Sequence, residues 1–125
     1  HADIVRSNVP KFVAFTDECR ADHPAASFDV ILAGQVIEHV RKPWRWMTEL
    51  ARLTKCGGHV VVIAPVSWPY HEAPVDCWRI YPEGMRALAD EAGLEVVLCI
   101  CEGLCGPQCC ENNRVIDTIM IAKKP

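Results

Sequence analysis

The sequence lacks the features that mark two large classes of protein. It contains no block of basic residues, and its formal net charge is -3, so it shows no electrostatic footprint for nucleic acid. No apolar run approaches the roughly 20 residues that a membrane helix needs. Its 125 residues, 50% hydrophobic and 23% charged, predict one globular domain over residues 1–125, without a nucleic-acid or membrane partner.

Cysteine pairs with the spacing C-x-x-C are also absent, although the chain contains eight cysteines. A disulfide framework is typical of short secreted chains without a hydrophobic core. This composition predicts a core, and no signal peptide is recognisable at the start of the sequence. We therefore expect reduced thiols and a cytoplasmic protein.

Five of the cysteines crowd into the segment 99–110, CICEGLCGPQCC. Four thiolates can hold zinc, but zinc modules generally use C-x-x-C pairs. Free thiols that pack as small apolar side chains are the favoured interpretation, and no metal is predicted. A zinc-stabilised module built on these cysteines is the alternative.

One stretch organises the rest of the chain, and it runs from Phe28 to Val40, FDVILAGQVIEHV. Its first part is almost continuously apolar, which predicts a strand covered on both faces in a parallel sheet. Gln35, Glu38 and His39 follow at once. Because ligands bind just beyond the carboxyl ends of the strands in open α/β sheets, these side chains are candidates for a site. An ordinary transition from strand to loop is the alternative.

Proline and glycine mark the ends of two predicted helices. Proline suits the first helical position, so the helices begin at Pro43 and Pro82. They stop at the pair Gly57 and Gly58 and at Gly93, where glycine takes the left-handed conformation. The predicted helices span 43–55 and 82–92, and the predicted strands besides 28–33 span 2–5, 11–15, 59–64, 94–100 and 115–122.

The order of these elements predicts the topology. The strand 28–33, the helix 43–55 and the strand 59–64 form a βαβ unit, which requires parallel pairing and a right-handed crossover. The last two strands are joined without a helix, so they should pair antiparallel. The expected fold is α/β, with a mixed, mostly parallel sheet and an antiparallel C-terminal edge strand.

These residues resemble a known family. The run FDVIL, then EHV, a helix and a glycine pair before HVVVIAP is similar to the second half of the class I S-adenosylmethionine-dependent methyltransferases. The later run YHEAPVDCWRIYPEGMRALADEAGLEVV is similar to a loop and helix of one branch of that family. The resemblance extends from about Asp3 to Ala122. It implies a three-layer Rossmann-like methyltransferase fold whose first strand–helix unit is missing.

Two departures from the family pattern bear on function. The family's first strand ends in a G-x-G loop that lets the backbone approach the methionine part of the cofactor, and the seven glycines of this chain include no such pair. The family's usual proline before the glycine pair is Cys56 here. The resemblance implies S-adenosylmethionine as the cofactor, and the missing loop predicts weak or absent binding by this chain alone.

The resemblance also implies five cofactor-binding positions. Asp3 would accept hydrogen bonds from the ribose hydroxyls, and Asp17 and Glu18 would contact the adenine amino group. Gly34 and Gln35 would line the cofactor. The alternatives are a surface aspartate near the terminus and solvated acids in a loop.

Three residues are candidates for proton transfer. His39 is a candidate base for an acceptor hydroxyl or amine, because histidine is the side chain whose unperturbed pKa lies near neutrality; a capping or packing role is the alternative. His71 and Asp76, in the long connection 65–81, are candidates for that base or for the group that orients it.

Aromatic and polar side chains in the same connection suit a small-ligand pocket. The candidates for binding substrate are Tyr70, Trp78, Arg79 and Tyr81. In the alternative interpretation the aromatic rings pack on the edge of the sheet and Arg79 pairs with a carboxylate.

The predicted function is methyl transfer from S-adenosylmethionine to a small-molecule acceptor. The alternative is a non-catalytic remnant that keeps the fold and acts in self-association or partner binding. In the sheet of relatives, the first strand lies between the strands that correspond to 2–5 and 28–33, and this chain lacks that first strand. Its loss leaves strand edges open, and open edges template pairing between chains, so a homo-oligomer is expected.

Overall fold

The computed structural model describes residues 13–16, 18–72, 74–101 and 116–125. In chain order, the elements in these residues are β1 (Phe28–Gly34), a 3-10 turn (Ile37–His39), α1 (Pro43–Leu53), β2 (Thr54–Ser67), α2 (Pro82–Glu91), β3 (Glu95–Cys101) and β4 (Ile116–Lys123). Neither α-helix is long and apolar enough to cross a membrane.

Some sequence predictions fall on other parts of the chain. The predicted strand 2–5, the site candidates Asp3 and Asp17, and most of the cysteine-rich segment lie outside the described residues. Of the predicted strand 11–15, the described part forms only an isolated bridge, between Phe15 and Ala21.

The predicted βαβ unit is confirmed. β1 and β2 pair in parallel, from Val30 opposite His59 to Gly34 opposite Ile63, and α1 connects them with Pro43 in its first turn. Parallel pairing brings the carboxyl ends of both strands to one edge of the sheet. The residues that follow the two strands therefore meet at that edge.

Both helices pack on the same face of the sheet, where their buried side chains join one core cluster with β2 and β4. Its fully or almost fully buried members include Trp46, Met47, Leu50, Val60, Val62, Met85 and Met120. Within the described residues no helix covers the opposite face, and the prediction that β1 is covered on both faces is wrong there. Val30 and Leu32 are 60% and 71% exposed, because the helices in the described residues cover only the other face. Of the three predicted layers, these residues supply the sheet and one helix layer.

The C-terminal strand is antiparallel, as predicted, but it does not lie at the edge. The strand order is β1-β2-β4-β3, so β4 pairs antiparallel with β2 on one side and with β3 on the other. Its alternate residues, among them Thr118, Met120 and Ala122, are buried. An inner position satisfies both rows of backbone hydrogen-bonding groups on this half-buried strand. β3 takes the edge instead.

The glycine pair Gly57 and Gly58 does not end α1, contrary to the prediction. α1 ends at Leu53, and β2 begins immediately with Thr54. Gly57 has a φ of +79°, but it lies in an irregularity of β2, where the register with β1 shifts between Phe28 and Val30. Gly93, with a φ of +71°, follows α2 as predicted.

Candidate active site

β1 ends in a turn that carries the chain across the carboxyl edge of the sheet. Gln35 has a φ of +55°, a left-handed conformation that costs an L-residue about 1–2 kcal/mol. Its amide donates to the carbonyl oxygen of Ile63 at 2.9 Å. This contact with the end of β2 holds the strained residue. The 3-10 turn that follows therefore lies over the strand ends.

Glu38, in the 3-10 turn, is buried, with a side chain that is 1% exposed. Its backbone carbonyl accepts hydrogen bonds from the amides of Cys77 at 2.7 Å and Trp78 at 3.3 Å, which joins the turn to the loop before α2. Its carboxylate oxygens have no hydrogen-bond partner in the part of the chain that the structure describes. Burial raises the pKa of the Glu38 carboxyl, and the neighbouring His39 opposes that shift.

The ring of His39 lies between Glu38 and the loop before α2. Its Nδ1 is 2.6 Å from the carbonyl oxygen of Val75. Since a carbonyl can only accept, Nδ1 carries the proton in this contact. Nε2 lies 3.6 Å from Oε1 of Glu38. In the neutral ring, the basic nitrogen is therefore Nε2, on the side of the carboxylate.

His71 brings a second imidazole to the same place. Its ring meets that of His39 edge-on, with centroids 5.0 Å apart and planes at 88°. Its Nδ1 lies 3.1 Å from the carbonyl oxygen of Pro69 and 3.5 Å from Oδ2 of Asp76. The backbone amide of His71 donates to the same Oδ2 at 2.8 Å. Asp76 therefore positions both the backbone and the ring of His71.

Asp76 is itself held by Arg79. The Asp76 side chain is 1% exposed, and the two guanidinium nitrogens Nη1 and Nη2 donate to its two oxygens at 2.6 and 2.7 Å. Arg79 also donates to the carbonyl oxygens of Trp68 and Pro69. The guanidinium holds the pKa of the Asp76 carboxyl well below its usual range. Asp76 is therefore an ionised group that orients its neighbours.

A cleft of about 570 Å³ opens beside His39. The side chains that line it include Phe15, Glu18, Val36, Val40, Lys42, Trp46 and Val75. The carboxylate of Glu18 pairs with the charged ends of Lys42 and Arg45, each at 2.9 Å, and Lys42 lowers the pKa of that carboxyl. Gly34 and Gln35 lie at the end of β1, just before Val36.

The four substrate-binding candidates differ in their surroundings. The hydroxyl of Tyr70 is exposed and donates to Glu72 at 2.9 Å, and Tyr81 lies exposed at the start of α2. The indole nitrogen of Trp78 donates to the carbonyl oxygen of Val40 at 2.7 Å. Arg79 pairs with Asp76. The side-chain and backbone hydrogen bonds of the loop 68–81 thus join residues within the loop and connect the loop to the 3-10 turn.

The structure brings together the three residues predicted for proton transfer, His39, His71 and Asp76. It also places beside them Glu38, which the sequence named as a site candidate without a specific role. The available signal was a glutamate next to a histidine shortly after a nearly continuous apolar run. Its burial could not be predicted, because it depends on the loop 68–81 folding back over the turn.

Residues 3–62 match the family model described as a methyltransferase domain. No protein with a curated description is detectably similar in sequence.

Three solved structures show the same fold. The [4+2]-cyclase SpnF superposes with a TM-score of 0.68 at 22% identity, over 99% of this chain and 60% of its own. A proposed methyltransferase from Bacillus halodurans gives 0.70 at 15% identity, over 99% of this chain and 86% of its own. The 1,6-didemethyltoxoflavin-N1-methyltransferase of Burkholderia thailandensis gives a TM-score of 0.68 at 16% identity, over 98% of this chain and 55% of its own.

These likenesses establish the architecture but not the reaction. The chain spans 60% of the cyclase and 55% of the Burkholderia enzyme, and the same fold supports a cyclase and a methyltransferase. The fold confirms the resemblance seen in the sequence. Residues 3–62 match the methyltransferase-domain family, and this match and the fold together support the resemblance to the class I S-adenosylmethionine-dependent methyltransferases.

Proposed function

We propose that the chain takes part in methyl transfer from S-adenosylmethionine to a small-molecule acceptor. The observation that carries the proposal is the convergence of His39 and His71, 5.0 Å apart, beside a cleft at the carboxyl edge of β1 and β2. Ligands of such sheets bind at that edge. The Burkholderia enzyme, which shares the fold, holds 1,6-didemethyltoxoflavin and S-adenosylhomocysteine.

The geometry supports a role for His39 in proton transfer. When bound, S-adenosylmethionine supplies an electrophilic methyl group. The acceptor oxygen or nitrogen must lose a proton as its lone pair attacks the methyl carbon and the carbon–sulfur bond breaks toward sulfur. Nε2 of His39 is free to take that proton, because Nδ1 already donates to Val75. Asp76 holds His71 beside it.

The residues near the cleft fit part of the cofactor. Glu18 offers a carboxylate edge, already paired with Lys42 and Arg45. Asp3 remains the proposed partner of the ribose hydroxyls. The methionine part has charged ends that need a closely approaching backbone and a helix N-terminus, and the sequence has no G-x-G loop to supply them.

We expect this chain to bind S-adenosylhomocysteine in the millimolar range. Losing two or three charge-assisted hydrogen bonds, at about 1.5–3 kcal/mol each, lowers the affinity of a micromolar site by about two to four decades. An NMR titration measures this. The amides of Gly34, Gln35 and Val36 should shift, whereas those of Gly57 and Lys124, at the opposite end of the sheet, should stay in place.

Paired aspartate variants control the titration. Asp3→Ala should weaken binding further, while Asp29→Ala should leave it unchanged, since Asp29 pairs with Lys55 at the other end of β1. Shifts confined to the region of Gly57, or none at all up to about 10 mM ligand, would remove the cofactor from this chain and favour the non-catalytic alternative. Micromolar binding abolished by Asp3→Ala would show instead that the missing loop is dispensable.

We also propose that the chain self-associates through β1. Within the described residues, positions 30–34 of β1 pair with β2, and β1 is the terminal strand of the sheet. An open strand edge templates pairing with another chain. Light scattering coupled to size exclusion should show a dimer that Leu32→Lys dissociates, because charge on an edge strand opposes pairing. Val97→Lys, on the exposed surface of the other edge strand, is the matched control. A monomer at high concentration would contradict the proposal.

A further inference from the structure

Three potential metal ligands meet at the carboxyl edge of the sheet. A carboxylate oxygen of Glu38 and one ring nitrogen each of His39 and His71 all lie within 4.8 Å of one another. Oε1 of Glu38 is 3.6 Å from Nε2 of His39. Two ligand atoms around a tetrahedral zinc ion, with bonds of about 2.0–2.1 Å, are separated by about 3.3 Å. Small rotations of the side chains would complete such a set.

Glu38 supplies an independent reason to expect a cation here. Its side chain is 1% exposed, and its two carboxylate oxygens have no hydrogen-bond partner among the residues described. Burial of a charge without a partner is costly. The guanidinium of Arg79 is committed to Asp76 through two short hydrogen bonds. A bound cation would satisfy the carboxylate oxygens that have no hydrogen-bond partner in the described part of the chain.

The two histidines are already oriented for metal binding. Nδ1 of His39 donates to the carbonyl oxygen of Val75 at 2.6 Å. Nδ1 of His71 lies 3.1 Å from the carbonyl oxygen of Pro69 and 3.5 Å from Asp76. Histidine ligands characteristically donate the other ring N–H to a backbone carbonyl or carboxylate, which fixes the tautomer and orientation. Both rings thus keep an Nε2 lone pair for a ligand.

We propose that Glu38, His39 and His71 bind a divalent transition-metal ion of the zinc type. Two imidazoles and one carboxylate form a donor set that zinc and iron(II) sites use, with at least one position open to a further ligand. Because His39 also lines the cleft, a further ligand would reach the open coordination position from the cleft. In the metal-loaded protein both histidines act as ligands, and proton acceptance by His39 belongs to the metal-free protein.

Metal binding is measured without cofactor or acceptor, so this proposal and the proposed methyl transfer can fail separately. The test is titration of the 125-residue chain with Zn²⁺, followed by long-range proton–nitrogen NMR of the histidine rings. The nitrogen chemical shifts of Nε2 in His39 and His71 should move to the range of metal-bound imidazole, and the change should be complete at one ion per chain. The rings of His23 and His59, elsewhere in the chain, should stay in place and serve as internal controls.

Variants distinguish this site from the thiols. Glu38→Gln and His71→Asn should each weaken Zn²⁺ binding by about 100-fold or more, since loss of an outer partner alone commonly costs 10–100-fold. Asp76→Asn changes only a residue that orients His71, so it should weaken Zn²⁺ binding by about 10–100-fold. His59→Gln should have no effect on Zn²⁺ binding. The double change Cys105→Ser and Cys109→Ser should also leave this binding intact. Unmoved rings of His39 and His71, or binding lost only in the cysteine variant, would overturn the proposal.

Discussion

Replacing Gly58 with alanine is expected to destabilise the protein by about 3 kcal/mol, near the upper end for overpacking a close contact. A Cβ atom at this position would lie 2.7 Å from the carbonyl oxygen of Asp29 and 2.9 Å from that of Lys55. Both are backbone atoms, so relief requires β1 and β2 to separate locally. Urea denaturation measures the change in the free energy of unfolding.

Gly84→Ala is the matched control, because it makes the same substitution in α2. The nearest atom to the added Cβ would be Cγ2 of Ile80 at an ordinary 3.6 Å. Alanine is a better helix former than glycine, so this variant should raise the free energy of unfolding by about 0.5 kcal/mol. Equal stabilities for the two variants would show that the contact at Gly58 is relieved without cost.

Removal of Glu49 should have an effect of similar size at neutral pH. Its side chain is 3% exposed and accepts hydrogen bonds from Arg52 at 2.7 and 2.8 Å and from the amide of Ala21 at 3.0 Å. These contacts fasten the segment before β1 to α1. Breaking a buried ion pair costs about 3–5 kcal/mol. Because Arg52 is 27% exposed, we expect Glu49→Ala to cost about 2–3 kcal/mol.

This contribution should depend on pH in one direction. Arg52 lowers the pKa of the Glu49 carboxyl below its usual value of 4.5. The stabilisation is therefore complete above the unfolded pKa and disappears as the pH falls through the lower, folded pKa. The difference in stability between the wild type and Glu49→Ala should be constant from pH 7 to about 5 and shrink below about 4.5. Urea denaturation across this range measures it.

Glu83→Ala provides the comparison for Glu49. Glu83 lies within 3.6 Å of Arg86, but its side chain is 90% exposed. An ion pair between solvent-exposed side chains contributes at most about 1 kcal/mol and often nothing measurable. We therefore expect little change from this variant.

A difference between the wild type and Glu49→Ala that stayed constant down to pH 2 would assign the effect of Glu49 to packing alone.

Much of the fold was predictable because its signals are local. Pro43 and Pro82 mark the first turns of the two helices, and continuous apolar runs mark β1 and β2. A helix that connects two neighbouring strands requires parallel pairing, so the sequence also predicted which strand ends meet. That is why His39 and His71, 32 positions apart in the numbering, were assigned to one site and are found with rings 5.0 Å apart.

Other features depend on contacts between distant segments. The chain connection predicted that β4 pairs with β3, but the insertion of β4 beside β2 depends on which edge of β2 is open. The burial of Glu38 depends on Cys77 and Trp78 donating to its carbonyl oxygen.

By itself, the sequence determined the α/β class, the two helices and the position of the candidate site at the carboxyl edge of the sheet, because residue periodicity and chain connection specify these directly. The tertiary structure alone decided the inner place of β4, the exposure of Val30 and Leu32, and the burial of Glu38, whose carboxylate oxygens have no hydrogen-bond partner among the described residues. Those features follow from which groups remain to be covered or bonded once the chain has folded.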